Sequence, residues 1–200
     1  EYIKGQATPP KVFVSASGSN YYGNAFNVPK IESDPSGSGF LAEVCKSWED
    51  AAAGSSVRTV LMRIAPVLRA EDGALAKMMT PFKFFIGGPT GSGTQGFEWI
   101  HKDDMARAIR VFVENEATEG PYNVSAPGTI TNRQFADALG DVMHRPSFFR
   151  VPKVMLELVF GEMSVVLWGG STVKTDKLEA AGFKHDFPEV KLALQDLIRD

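Results

Sequence analysis

Cysteine is nearly absent from this chain. Cys45 stands alone among 200 residues, so no internal disulfide can form and the fold must rest on its core, which is compatible with a reducing compartment. Histidine is scarce too: His101, His144 and His185 are scattered, and no Cys/His spacing predicts a metal site. There is no apolar run of the roughly 18 residues that a membrane-spanning helix needs. The longest greasy stretch, "VMLELVFGEMSVVLW", is broken by Glu157, Gly161 and Glu162 and reads as buried helix. Blocks of like charge are also missing. A net charge of −3 spread thinly along the chain leaves no basic footprint for nucleic acid. The opening "EYIKGQATPP" has neither a signal-peptide core nor an Arg- and Ser-rich transit pattern, and it reads as the middle of something longer. Asn123-Val124-Ser125 matches a glycosylation triplet, but nothing else in the chain suggests secretion.

What remains is a globular composition, 44% apolar and 22% charged, of a length that suits one domain with at most a small annex. "KVFVSAS" (11–17) and "VRTVLMRIAPVL" (57–68, ended by Pro66) read as buried strands, and "FEWIH" and "GPYNVSAP" as further strands. Between them, "FLAEVCKSWEDAAA" carries Leu41, Val44, Trp48 and Ala52 at helical spacing, with Ser38 as its cap. "GALAKMMTPFKFF" gives a short helix running into Pro81. Asp103 and Asp104 open a helix whose inward stripe is Met105, Ile109, Phe112 and Val113. Thr131 and Gln134 form a capping box for a helix that buries Phe135, Leu139 and Val142. Pro152 and Pro188 suit first helical turns, and Gly182 suits a left-handed cap. Strands alternating with helices predict an α/β domain with a parallel sheet, followed by a mostly helical last third.

"GGPTGSGTQGFEWIHKDD" (87–104) has the glycine density of a phosphate-binding loop. A P-loop needs Lys and Ser/Thr after its second glycine, and here Thr94 and Gln95 follow instead. Pro89 removes a backbone donor. A dinucleotide loop must open a helix, whereas this one runs into a strand. It reads as a turn.

Taken in order, "VSASGSNYYG", "FLAEVCKSWEDAA", "RTVLMRIAPVL", "GGPTGSGTQGFEWIHKDD", "YNVSAPGTITNRQF", "VPKVMLELVFGE" and "KLEAAGFKHDFP" resemble the epimerase-like branch of the atypical short-chain dehydrogenases/reductases, including its bacterial, cyanobacterial and plastid (cell-division-inhibitor-like) members. The resemblance spans nearly the whole chain. It implies the C-terminal part of a Rossmann-type parallel sheet with a small, mostly helical C-terminal lobe. Residues 1–118 would be the partial NAD(P)-binding domain, with a substrate-loop segment at 87–101, and residues 119–200 the lobe. In such proteins the G-x-x-G-x-x-G loop lies in the first strand–helix turn, which this sequence does not contain. Roughly the first hundred residues of the usual architecture are therefore expected elsewhere, as a missing N-terminal Rossmann half or a partner chain covering the sheet edge. The implied cofactor is NAD or NADP, and the compatible compartments are a bacterial cytoplasm or a plastid stroma.

The resemblance also indicates where chemistry would sit. Active relatives place a Tyr and, four residues later, a Lys beside the nicotinamide, the cation lowering the phenol's pKa. The matching positions here are Phe40 and Val44, or Leu41 and Cys45, and they supply neither group. Ser17 matches the strand-end Ser that meets substrate and cofactor. Tyr21 and Tyr22 stand where a substitute acid would, or are packing residues with their hydroxyls in solvent. Arg63, Ala65 and Val67 fall on the segment that passes the nicotinamide, although Pro66 deletes an amide there and Arg63 has the alternative of pairing with a carboxylate. Gln95, Trp99 and His101 fall on the substrate-facing segment, Trp99 also suiting the core and His101 a strand–helix link. Two functions follow from this: an NAD(P)-dependent epimerase, dehydratase or reductase with a degraded Tyr-x-x-x-Lys site, or a catalytically silent accessory subunit of a larger assembly.

Overall fold

A computed structural model describes residues 3–23, 28–150 and 171–199. In chain order the elements are β1 (Val12–Gly18), α1 (Phe40–Ala53), β2 (Arg58–Ile64), β3 (Val67–Leu68), α2 (Gly73–Lys83), β4 (Gly96–Phe97), β5 (Ile100–His101), α3 (Lys102–Glu114), β6 (Gly120–Val124), β7 (Ile130–Thr131), α4 (Asn132–Met143), α5 (Asp176–Ala180) and α6 (Val190–Leu197). A 3-10 turn, Ser19–Tyr22, follows β1 directly. The reading of 154–168 as buried helix and of Pro152 in a first turn lies outside the described residues.

β1, β2 and β6 form a parallel sheet in that order, of Rossmann type, with α1 as the crossover between the first two strands. The register pairs Ser17 with Arg63 and Arg63 with Asn123, so one polar residue from each strand lies in a single row next to the carboxyl ends. β6 is thus a strand of the main sheet although it follows residue 118. In β2 and β6, Val60 and Val124 are fully buried. β1 has one neighbour among the described strands, and most of its residues are only half-buried.

Several local readings shift by a residue or two. α1 is capped by Gly39, at φ +106, a conformation glycine adopts without strain, and the Ser38 side chain makes no capping bond. The buried face of α1 is Ala42, Cys45, Glu49 and Ala52, and Trp48 points out at 55% exposure. α3 buries Asp104, Ala108 and Phe112, leaving Ile109 and Val113 exposed. The strand expected over 57–68 is two strands, because the chain turns at Ala65-Pro66 and β3 leaves the main sheet to pair with β5. "FEWIH" divides likewise, β4 pairing with β7 and β5 with β3. Pro81 lies inside the last turn of α2, which continues to Lys83. Pro188 precedes the cap of α6, Glu189. The capping box of Thr131 and Gln134 is formed, and Gly182, at φ +94, follows the C-cap of α5.

Two apolar clusters fill the structure. One packs Val60, Met62, Phe112, Tyr122 and Val124 against Leu178 and Phe183 of the α5 region. The other joins α2, α4 and α6 through Leu75, Phe82, Phe135, Leu139 and Leu194. A fully buried Phe or Leu contributes on the order of 1.5–3 kcal/mol, so these clusters dominate stability. The glycine loop docks on the second cluster. A Cβ at Gly87 would run into the Phe82 ring and one at Gly88 into the Phe149 carbonyl. These glycines therefore permit close packing. The loop's carbonyls of Gly93 and Gln95 accept the first amides of α4, from Arg133 and Asn132, both at 2.9 Å.

Candidate functional site

In open α/β sheets, ligands gather outside the carboxyl ends of the strands. Here that end is built on the row Ser17, Arg63 and Asn123, all three buried. Arg63 is the hub. Its Nε and Nη2 make a two-pronged pair with Glu49 of α1, at 2.9 and 2.8 Å, and its Nη1 donates to the Tyr22 hydroxyl at 2.7 Å and to the Glu32 carbonyl at 3.1 Å. Ser17 Oγ donates to the same Glu49 carboxylate at 2.8 Å. Burial pulls the guanidinium's pKa down, but its hydrogen bonds to Glu49 and Tyr22 outweigh that and raise it.

Tyr22 is 3% exposed, so its hydroxyl is not in solvent. The phenol shares its proton between Asn123 Oδ1 at 2.8 Å and the Ile31 carbonyl at 3.1 Å. Burial pushes it up to about 12, against the opposing pull of Arg63. A substitute acid needs the opposite shift. Tyr21 lays its ring 3.5 Å from the Arg63 guanidinium carbon, a cation–π contact, and stands edge-on to Tyr22. Asn123 donates its backbone amide to Glu32 Oε1 at 2.9 Å and its side-chain amide to the Lys30 and Lys174 carbonyls. Lys30 in turn bridges to the 172–174 segment through Lys30 N to Thr172 O and Lys174 N to Lys30 O. The row therefore ties residues 30–32 and 172–174 over the strand ends. Asn123 is fully buried inside it, which rules out its triplet as a glycan acceptor in the folded chain.

The other residues read from the sequence lie apart from this row. The Ala65 amide donates to Val124 O at 3.0 Å, and Val67 pairs with Ile100. Gln95 closes the glycine loop, its Nε2 donating to the Thr90 carbonyl at 2.9 Å and its Oε1 accepting from Ser92. Trp99 is core, and its carbonyl accepts from the Ala126 amide at 2.7 Å. His101, fully buried, caps α3: its Nδ1 accepts the Asp103 amide at 3.1 Å while its ring stacks on Phe187 at 3.7 Å. Its Nε2 stands 3.4 Å from Asp196 Oδ2. His101, Asp103 and Asp196 are a grouping that suits a metal ion, in a chain whose sequence suggests none, but the Nδ1 lone pair is spent on the helix cap, which leaves Nε2 as the N–H of the neutral ring. At the positions of the missing Tyr and Lys, Phe40 is 73% exposed, and Cys45 is buried with its thiol pKa raised by desolvation.

Sequence reasoning missed three groups. Glu49 and Asn123 complete the row. Glu98, between β4 and β5, buries both carboxyl oxygens without a hydrogen-bond partner among the described residues. The signal for the row was available: each of the three apolar strands carries one out-of-place polar residue near its end.

The comparisons agree with this architecture. A family model described as a domain of unknown function (DUF1731) matches residues 151–197. The chloroplastic SDR39U1 homologue of Arabidopsis thaliana, an epimerase family protein, is 38% identical over 192 residues, covering 95% of this chain and 55% of its own. The mouse epimerase family protein SDR39U1 is 37% identical, with 96% and 67% covered. Epimerase family protein SA0724 of Staphylococcus aureus is 33% identical, with 100% and 68% covered. Human SDR39U1 (isoform 2), solved with NADPH, superposes with a TM-score of 0.89 at 33% identity, covering 98% of this chain and 68% of its own. The chain thus spans between about half and two thirds of these relatives' length.

Proposed function

The chain belongs to the epimerase family of atypical short-chain dehydrogenases/reductases, and from that premise we propose that it is the substrate-side portion of an NAD(P)-binding epimerase, dehydratase or reductase-like protein. The observation that carries this reading is the superposition on a relative solved with NADPH, over 98% of this chain. The cofactor fits these residues poorly as a polar partner. Arg63, Ala65 and Ser17, where the dinucleotide would pass, spend their donors on Glu49, Val124 and Tyr22. In this proposal they supply a rigid wall, and the pyrophosphate is held by the part of the family architecture outside the match. The outer edge of β1 is where further strands of that sheet, from the same protein or a partner chain, would pair.

A second reading, a catalytically silent accessory subunit, is favoured by Phe40, Leu41, Val44 and Cys45 standing where the family's phenol and ammonium belong. Titrating the full-length protein with NADPH and NADH separates the two. Enzyme-like binding quenches tryptophan fluorescence and raises Tm by the several degrees that ligand at about 100 times Kd confers. No response to either dinucleotide would leave the accessory reading standing.

A further inference from the structure

Two buried side chains at this end of the fold lie outside the network, the Thr172 hydroxyl and the Glu98 carboxyl, and Glu98 is the ionisable one. Phe97, Trp99, Ile100 and His101 around it are all buried, so the carboxyl is carried into the interior by its neighbours. Both of its oxygens are shielded from water, and among the described residues neither has a hydrogen-bond partner of full geometry. Its polar neighbours are the hydroxyls of Ser19, in the turn directly after β1, and of Ser171, near enough to favour its charged form but short of full hydrogen-bond geometry. Ser171 is held there by donating to the Ser19 carbonyl at 2.9 Å. Burial pushes the carboxyl up to about 8, with the two hydroxyls offsetting part of the rise. At neutral pH it is therefore a carboxylic acid with an unspent O–H.

An unsatisfied buried carboxyl destabilises the protein that keeps it, and such groups concentrate where a ligand completes them. A neutral acid in an apolar setting is a strong hydrogen-bond donor to uncharged oxygen. We infer that Glu98 reads a ligand: its carboxyl donates a hydrogen bond to the carbonyl or hydroxyl oxygen of a small uncharged group seated at the carboxyl end of β1, beside Ser19 and Ser171. This assignment rests on the preceding reading of that end as the substrate side. It makes Glu98 a binding residue that discriminates for neutral oxygen acceptors and against anions.

The test uses the full-length protein with cyclohexanone and methyl glucoside as carbonyl and hydroxyl probes, read by saturation-transfer NMR at about pH 6 and about pH 9.5, on either side of the group's titration. At the lower pH, Glu98→Leu should reduce the signal at least ~10-fold. Ionisation should do the same to the native protein at the higher pH, because a carboxylate cannot donate. Glu98→Gln, which keeps an N–H donor, should retain the signal and lose its pH dependence. Glu98→Leu should also raise Tm by about 3 °C, as an orphaned polar group is removed. Equal signals from the native protein and Glu98→Leu, including none from either, would overturn the inference. If Glu98→Leu does not fold, Glu98→Gln decides: a pH dependence like that of the native protein overturns it as well. Failure of NADPH to bind sinks the preceding proposal and leaves these outcomes to be read independently.

Discussion

Two sets of buried polar groups lie at the carboxyl end of the sheet, and the fold treats them in opposite ways. Along Ser17, Arg63 and Asn123, the two-pronged Glu49 carboxylate and the Tyr22 hydroxyl give donors and acceptors near-complete partners, and the network holds two loop segments in place. At Glu98, a residue only half-buried as a whole, a carboxyl of the same chemistry has both oxygens shielded and left without a partner among the described residues. Low dielectric strengthens every bond in the first set and magnifies the cost of the second. The strand-end side chains that resemble a catalytic constellation in sequence, Ser17, Tyr22 and Arg63, are thus ones with little capacity left for a ligand, whereas Glu98, a residue with no motif, has capacity to spare.

The largest effect should come from opening the saturated set. Glu49→Ala leaves the Arg63 guanidinium, 3% exposed, without its carboxylate, and should cost ~3–5 kcal/mol in urea denaturation. Replacing both partners with apolar residues, Glu49→Leu with Arg63→Met, should recover much of that loss, because the two desolvation costs go together. A Glu49→Ala cost under ~1 kcal/mol, typical of surface pairs, would mean that the row is not the closed network its distances describe.

The adjacent tyrosines sharpen the comparison at a smaller scale. Tyr22→Phe removes a hydroxyl that joins Arg63 to Asn123 and should cost ~1–3 kcal/mol, because both partners stay buried. Tyr21→Phe keeps the ring over Arg63 and should be nearly neutral by the same assay. An absorbance titration gives a second check: Tyr22 should remain a phenol until about pH 12. Equal costs for the two substitutions would remove the distinction between network and packing tyrosine.

How far the sequence leads follows from the same residues. Strand and helix types were legible from periodicity, and the glycine loop was legible as a turn because Pro89 and a following strand cannot make a phosphate cradle. The face of α1 was not. Leu41, Val44 and Trp48 make the more hydrophobic stripe, yet the structure turns Ala42, Cys45 and Glu49 inward, because the small side chains let the helix sit close and the carboxylate answers Arg63. A pairwise electrostatic demand thus overrode a hydrophobic pattern, and a single strand does not show that its arginine will want a partner from a helix. Asn123 was hidden by its triplet, since type alone cannot tell a buried amide from a surface one. Glu98 was hidden inside "FEWIH", where a charge between aromatics reads as the outward side of an alternating strand. The break into β4 and β5, set by pairing with β7 and β3, carries it inward instead.

The smallest expected effect compares two helix starts that solve one problem with different chemistry. α4 begins on the Thr131 hydroxyl, which accepts the Gln134 amide at 3.2 Å, and α3 on the His101 ring, which accepts the Asp103 amide at 3.1 Å. Thr131→Ala should cost ~1 kcal/mol at any pH, since neither partner titrates in the working range. The α3 cap exists only while Nδ1 is unprotonated. Burial lowers the His101 pKa below its ordinary 6.5, against the pull of Asp103 and Asp196. Below that ordinary value the unfolded chain binds a proton that folded His101 resists, so this residue's contribution is full above about pH 6.5 and falls away as the pH drops through the lowered value. Amide exchange at Asp103 should therefore accelerate on acidification, relative to the intrinsic rate, while exchange at Gln134 does not. Parallel behaviour of the two amides would show that imidazole protonation leaves the α3 cap intact, and that Asp196, not the helix start, absorbs the charge.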